Sequence, residues 1–521
     1  MSLLFRWWPL WLGLLLLPAL GHAQRDISFA DYALPEGGAV AVSVAKGLPE
    51  RGAFAALDTR LDGALRRAAQ AAGFSGDRAA LLNLFGVGPY AQVIVVGSGS
   101  DTPSPRLLED IGGMVGQTGQ LSAVERIDLL WEDHSLPGAG AHLAFGAELG
   151  QYRFREYRNP VPDAPLLGQG RLVIRTGAAA DAEQTWNSDW QHVAAGVRLA
   201  RDLVSEPANV LYPESFVERT REAFKGLDRV SIEVLDEGAM RRLGMDSILA
   251  VGMSSVRPPR LLLVRYRGGV RDAAPLAFVG KRITFDTGGI SIKGRENLWR
   301  MKYDMSGAAA VTGAVLALAR RGAKLNAIAV AALAENMPSG SAGRPGDVVR
   351  TLSGKTYEVI STDAEGRMVL VDAITYVLRQ DRPRLLIDIA TLTGSQVTAV
   401  GDEYAALFTR DDALAARLQA LGAASGEELW RLPLHPSYAK DLESPIADLR
   451  NGGGSSKAGA GVGAFFIGNW VPETQPWAHL DIASMAWRDD PPLPTVPLGA
   501  SGYGVRLLDR VAREAASSST H

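Results

Sequence analysis

Short apolar runs bounded by Gly, Pro and polar residues recur along the chain at residues 91–96, 127–131, 260–266, 276–280, 326–333, 356–360 and 384–389, the pattern of buried strands. Ala-rich helical stretches separate them, among them a small-residue helix from Ser306 to about Arg320. Strands alternating with helices predict an α/β fold. A polar run over 177–189 leads into a helix including 197–204, which ends before Glu206-Pro207. The pattern therefore divides near residue 180, with this helix as the joint. Residues 24–178 form a small N-terminal α/β domain, and residues 179–515 a larger C-terminal α/β domain with a mixed, mainly parallel sheet flanked by helices.

The first 23 residues break this pattern. A basic residue, Arg6, precedes the apolar run 7–20, and Gly21-His22-Ala23 closes it. The run is shorter than the roughly 20 apolar residues of a membrane span. Together these features read as a secretory signal cut after Ala23, with an uncleaved anchor as the alternative. The expectation is an exported protein, periplasmic or secreted, with no stable membrane association after cleavage. The chain contains no cysteine, which excludes lipid attachment after the apolar run and any thiolate zinc site. A net charge of −3 over 521 residues gives no global attraction to nucleic acid.

Chemistry concentrates in the C-terminal half. Ser361-Thr362-Asp363-Ala364-Glu365-Gly366-Arg367-Met368 follows the strand-like run 356–360, where the ligands of an open α/β sheet gather. Upstream, Lys281 and Asp286-Thr287-Gly288-Gly289 follow the run 276–280, and the paired glycines permit a close approach to a ligand. Lys293 comes next, then Asp304 just before the small-residue helix, where the helix dipole favours negative charge. Asp286, Asp304, Asp363 and Glu365 would thus come from three loops. In one cleft they would repel unless cations neutralise them.

These motifs, with Glu335-Asn336-Met337-Pro338, Arg344-Pro345-Gly346-Asp347, Ala390-Thr391-Leu392-Thr393-Gly394 and Trp477-Ala478-His479-Leu480-Asp481, resemble the leucyl aminopeptidase family of dinuclear metallopeptidases. The resemblance runs from about Val197 to Leu508, in order and at family-like spacing. It implies two divalent metal ions per subunit, one held by Asp286, Asp363 and Glu365 with the Asp363 carbonyl in reach. The other would be held by Lys281, Asp286, Asp304 and Glu365. A lysine ligates only as the neutral amine, so Lys281 must titrate well below its usual value of about 10.4. Oxygen ligands with one amine suit Zn²⁺ or Mn²⁺.

By the same resemblance, the activated water between two such ions attacks the carbonyl of a peptide's first residue. Lys293 would stabilise the oxyanion, and Arg367 would hold a bicarbonate ion acting as general base. Met301, Thr391, Gly394, Ala483 and Ala486 match positions lining the pocket for the first side chain, of Leu or Met type. The implied partners are peptides with a free N-terminus, with no nucleic acid, and the implied assembly is a homo-hexamer.

Ser361 stands where the family has Asn, Met368 where it has Leu, Gly294 where many members have Pro, and Ser395 where Ala is frequent. None of these supplies a ligand. They bear on substrate preference, so a narrow dipeptidase on the same site stays open, as does a non-catalytic, nucleic-acid-binding member. His479 reads as a structural residue near the pocket. The glycine-rich tract 451–463 lacks a phosphate-loop pattern and reads as a mobile loop beside the site.

Overall fold

The computed structural model of the protein describes residues 24–132, 135–159, 167–452 and 457–517. The leader-like segment 1–23 lies outside the described residues. Strands β1 (Asp26–Ala30), β2 (Gly38–Ala45), β3 (Leu81–Val87), β4 (Tyr90–Gly99), β5 (Arg126–Trp131) and β6 (Arg171–Thr176) form a six-stranded sheet in the order β1-β6-β5-β2-β4-β3. Its pairs are parallel except β3 with β4.

The second half continues with β7 (Val230–Leu235), β8 (Arg260–Arg267), β9 (Leu276–Asp286), β10 (Asn326–Asn336), β11 (Val348–Arg350) and β12 (Thr356–Glu358). Strands β13 (Leu385–Ala390), β14 (Ala405–Phe408), β15 (Leu429–Arg431), β16 (Leu449–Arg450) and β17 (Trp477–Asp481) follow. Eight of them form the large sheet, in the order β15-β14-β17-β13-β9-β10-β8-β7. Its central pairs β17-β13, β13-β9 and β9-β10 are parallel, and antiparallel strands flank them. The fold is two α/β units with mixed, mainly parallel sheets.

Alternation along β9 explains how the central strand is covered on both faces. Leu276 and Phe278 join the apolar cluster that contains the helix Ser306–Arg320. Ala277 and Val279 join the cluster of the helix Glu365–Asp381. Successive side chains of a strand point to opposite faces, so a near-continuous apolar run buries both. One core cluster includes residues of both halves, with the helix Gln191–Ser205 contributing Val193, Val197 and Val204.

The structure corrects four expectations. Strand β9 does not stop at Gly280: it stays paired with β10 as far as Asp286, so Lys281 and Asp286 are strand residues, not loop residues. Strand β12 ends at Glu358 and belongs to a separate three-stranded sheet, β11-β12-β16. The turn after it is therefore brought to the site by the helix Glu365–Asp381, not by the end of a main-sheet strand. The polar run 177–189 is largely helical, over Ala179–Thr185 and the π-helical turn Trp186–Trp190, because buried Trp186 and Trp190 anchor it. In the glycine-rich tract, residues 453–456 lie outside the described residues. Residues 459–463 open the helix Gly459–Gly468, held by buried Ala460, Val462, Phe466 and Ile467.

Candidate metal centre and active site

Three elements deliver the charged side chains. The last half of β9 carries Lys281 and Asp286. The 3-10 helix Leu298–Met305 carries Met301 and Asp304. A 3-10 turn, Thr362–Ala364, and the helix Glu365–Asp381 carry Asp363, Glu365 and Arg367. Ser361 caps that turn, its hydroxyl accepting the Asp363 N–H at 3.2 Å, a bond short polar side chains make at helix starts. Glu365 sits in the first turn of its helix, where the dipole favours a carboxylate. Between β9 and Lys293 the chain turns through Gly288 and Gly289, with φ of 86° and 66°, a left-handed conformation that glycine adopts without strain.

The side chains meet. Oxygens of Asp286, Asp363 and Glu365 lie within 4.8 Å of one another. The Lys281 ammonium donates to Asp304 Oδ1 and to the Thr391 carbonyl, each at 2.7 Å, and lies 2.9 Å from Glu365 Oε1. Lys293 Nζ lies 2.8 Å from Asp286 Oδ2 and 2.5 Å from Asp363 Oδ1. Lys281, Asp286, Asp304 and Glu365 are buried, while Asp363 is exposed.

The electrostatics are those of a crowded acidic site. Burial, then repulsion from Asp286, pushes the Glu365 and Asp363 carboxyls above their usual range, against the pull of the two lysines. Asp304 is raised by burial and by Asp286, opposed by Lys281. Burial draws Lys281 down, but Asp304, Glu365 and Asp286 more than reverse it and hold an ammonium. The neutral amine that ligation requires would arise as a cation bound there displaces that proton. Asp304 Oδ2 and Glu365 Oε2 are buried with no hydrogen-bond partner. Such orphaned oxygens are costly, and a divalent cation is the partner this oxygen-rich donor set fits.

The other expected residues fall around this cluster. Lys293 stands among the carboxylates. Arg367 is buried, and its Nη1 donates to the Asn451 carbonyl at 2.9 Å, while its Nε has no partner. Thr391 directly follows β13, and its hydroxyl donates to Asp304 Oδ1 at 2.7 Å. Gly394 starts the helix Gly394–Val400 and is exposed. Met301 and Ala483 are half-buried, whereas Ala486 is packed into the core. His479 is enclosed against Asp388 and is not among the residues of the acidic cluster.

Two residues without a role in the sequence reading help to build the site. Asn451 is fully buried and accepts the Ile360 N–H at 2.8 Å while donating to the Ser361 carbonyl at 2.8 Å. Asn336 donates to Asp286. Asn336 stood within a noted motif, but nothing in its spacing pointed at a ligand.

Buried carboxylates in want of cations, set beside the central strand of a mixed α/β sheet, are the machinery of a metal-dependent hydrolase. Residues 198–509 match the catalytic domain of the cytosol aminopeptidase family, and residues 40–160 match its N-terminal domain. The chain belongs to this family and is a metallo-exopeptidase, a leucyl-type aminopeptidase. It is 44% identical over 461 residues to a probable cytosol aminopeptidase of Caulobacter vibrioides, covering 87% of this chain and 91% of that one. A probable cytosol aminopeptidase of Rhizobium meliloti is 40% identical over 510 residues, covering 94% and 98%. Among solved structures, a tomato leucine aminopeptidase mutant superposes with a TM-score of 0.84 at 31% identity, over 95% of this chain and 97% of that one. The bottromycin maturation enzyme BotP in complex with Mn superposes with a TM-score of 0.79 at 32% identity, over 92% and 99%. The family works with divalent metal ions, and the acidic cluster is where this chain would hold them.

Proposed function

We propose that this aminopeptidase acts through two divalent ions, Zn²⁺ or Mn²⁺, one held by Asp286, Asp363 and Glu365 and one by Lys281, Asp286, Asp304 and Glu365. The observation that carries this reading is the pair of buried, unpartnered oxygens on Asp304 and Glu365 within a cluster of repelling carboxylates. Bound ions supply Lewis-acid activation of water and of the scissile carbonyl. The chain's own groups do the rest. Lys293 holds its positive charge through Asp286, Glu365 and Asp363 despite burial, and an ammonium so placed stabilises an oxyanion. Arg367 is already protonated at neutral pH and so cannot act as the base; its unpartnered Nε suits an anion, and bicarbonate there would serve as the base. Met301, Thr391, Gly394 and Ala483 would line the pocket for the first side chain, while Ala486 is enclosed in the core. Small residues beside one flexible methionine suit Leu and Met side chains.

Aminoacyl-p-nitroanilides test this reading before and after metal stripping. Release from free-amino substrates but not from N-acetylated ones, lost on stripping and restored by Zn²⁺ or Mn²⁺, is the expected result. Glu365→Ala should abolish turnover with the circular dichroism unchanged; turnover near wild type would remove the two-ion assignment. Release confined to dipeptides would indicate the narrow dipeptidase.

Two further readings rest on the sequence. The basic residue, apolar run and small-x-small end of residues 1–23 support export to the periplasm or beyond with cleavage after Ala23. Mass spectrometry of the mature protein should find Gln24 first, and retention of Met1–Ala23 would overturn it. Among the described residues no helix is long and apolar enough to cross a membrane. A homo-hexamer follows from the family resemblance, and light scattering of the purified protein checks it.

A further inference from the structure

Asp286 owes its orientation to groups outside the acidic set. Its Oδ2 faces Lys293, while its Oδ1 accepts the Gly288 N–H and the Asn336 amide, each at 2.9 Å. Asn336 closes β10 and is buried, with 4% of its surface exposed. Its second amide proton goes to the Thr362 carbonyl at 3.0 Å. Both partners are pure acceptors, so the nitrogen must be the atom that faces them. The Asn336 backbone carbonyl accepts from the Thr287 N–H at 3.0 Å and from the Thr287 hydroxyl at 2.9 Å. Thr362 returns the tie, its hydroxyl donating to the Gly288 carbonyl at 2.6 Å and accepting the Ser291 N–H at 2.8 Å.

A register shift makes this contact possible. Strands β9 and β10 pair regularly up to Ile283 opposite Ala334, after which Asn336 stands opposite Asp286. The extra residue lies on β9, and bulges of this kind re-aim side chains beside active sites. Asn336 thus touches the strand-borne carboxylate with one proton and the backbone of the turn carrying Asp363 and Glu365 with the other. Its amide is also neutral. It stabilises Asp286 without adding to the acidic repulsion and without offering an ammonium that competes with a cation.

We propose that Asn336 is a positioning residue of the metal centre, setting the separation of the carboxylates on β9 from those on the Thr362–Ala364 turn and fixing the orientation of the Asp286 carboxylate. This rests on the two-ion reading above, and the test separates the two. Titration calorimetry of Mn²⁺ alone into the stripped protein is compared for wild type, Asn336→Ala and Asn326→Ala. Asn326 begins the same strand and donates to the Val270 and Ala273 carbonyls at 3.0 and 2.9 Å. Its variant therefore loses a similar pair of amide bonds far from the site.

Asn336→Ala should bind Mn²⁺ about 10–100-fold more weakly, the usual cost of losing a partner that orients a metal ligand. Asn326→Ala should bind like wild type. Equal affinity in wild type and Asn336→Ala, or equal weakening in both variants, overturns the positioning role while leaving the two-ion reading in place. A wild type that takes up neither Mn²⁺ nor, in a parallel titration, Zn²⁺ overturns that reading itself. Should Asn336→Ala fail to fold, Asn336→Leu keeps the volume and removes both donors, and wild-type affinity there overturns the proposal equally.

Discussion

His479 shows how far one side chain's surroundings set its chemistry. It and Asp388 are completely enclosed, with His479 Nδ1 2.5 Å from Asp388 Oδ1 and the Trp477 indole donating to Asp388 Oδ2 at 2.7 Å. Burial lowers the histidine's pKa, but Asp388, with a smaller contribution from Asp481, outweighs both burial and the opposing charge of Arg367, so the net shift is upward from 6.5. A group whose folded pKa is raised contributes stability in full below its unfolded value and loses it as pH rises through the folded one. The melting-temperature gap between wild type and His479→Gln should therefore be widest below the ordinary histidine value of 6.5 and narrow as pH rises above it; a gap that widens with pH would refute the charged pair. At this scale the sequence disclosed the ligand-type residues, because carboxylates and lysines at motif spacing are visible without a structure. It was silent on Asn336 and Asn451, whose contacts to Asp286 and Ile360 span 50 and 91 positions. A neutral amide looks the same in a solvated turn as it does beside a metal ligand.

The elements were legible where burial was uniform and illegible where it was not. An apolar run marks β9 as far as Gly280, and polar residues then end the pattern although the ladder with β10 continues. Lys281 and Asp286 can remain in a buried strand because they are neutralised there by partners from other elements. Gly280 has a further role, since a Cβ on it would lie 2.4 Å from Ala308 Cα and 2.5 Å from Ala308 N. Both are backbone atoms, so Gly280→Ala must move the helix Ser306–Arg320, which begins two residues after Asp304. The expected cost is about 1–3 kcal/mol by overpacking, read by denaturant unfolding, with a fall in turnover as Asp304 is displaced. Unchanged stability and turnover would show that the helix yields freely.

Across the whole molecule, buried polar clasps join the two halves. Arg201 donates to the Leu149 carbonyl at 2.7 Å in the first half and to the Thr495 and Ser501 carbonyls at 2.7 and 2.9 Å in the second. Glu109, fully buried on the helix Pro105–Gly119, pairs with His142 at 3.0 Å and with Arg506 of the last helix. Burial would raise the Glu109 carboxyl, but Arg506 and His142 reverse this and hold it below the usual range. Removing one partner of a buried pair strands the other charge. Arg506→Ala should accordingly cost about 3–5 kcal/mol, and Glu109→Gln with Arg506→Met should recover much of it. Chemical denaturation measures both, and a neutral Arg506→Ala would refute the clasp.

The sequence by itself determined the α/β class through its periodicity, and through the resemblance of its motifs to a known family the metallo-exopeptidase activity and which charged residues could serve, because periodicity and motifs are local properties of the chain. Tertiary structure alone decided that β12 leaves the main sheet, that Lys281 is buried between Asp304 and Glu365, and that Asn336 reaches Asp286. Each of these depends on what burial and a distant segment supply, and neither is written in the residue's own neighbourhood.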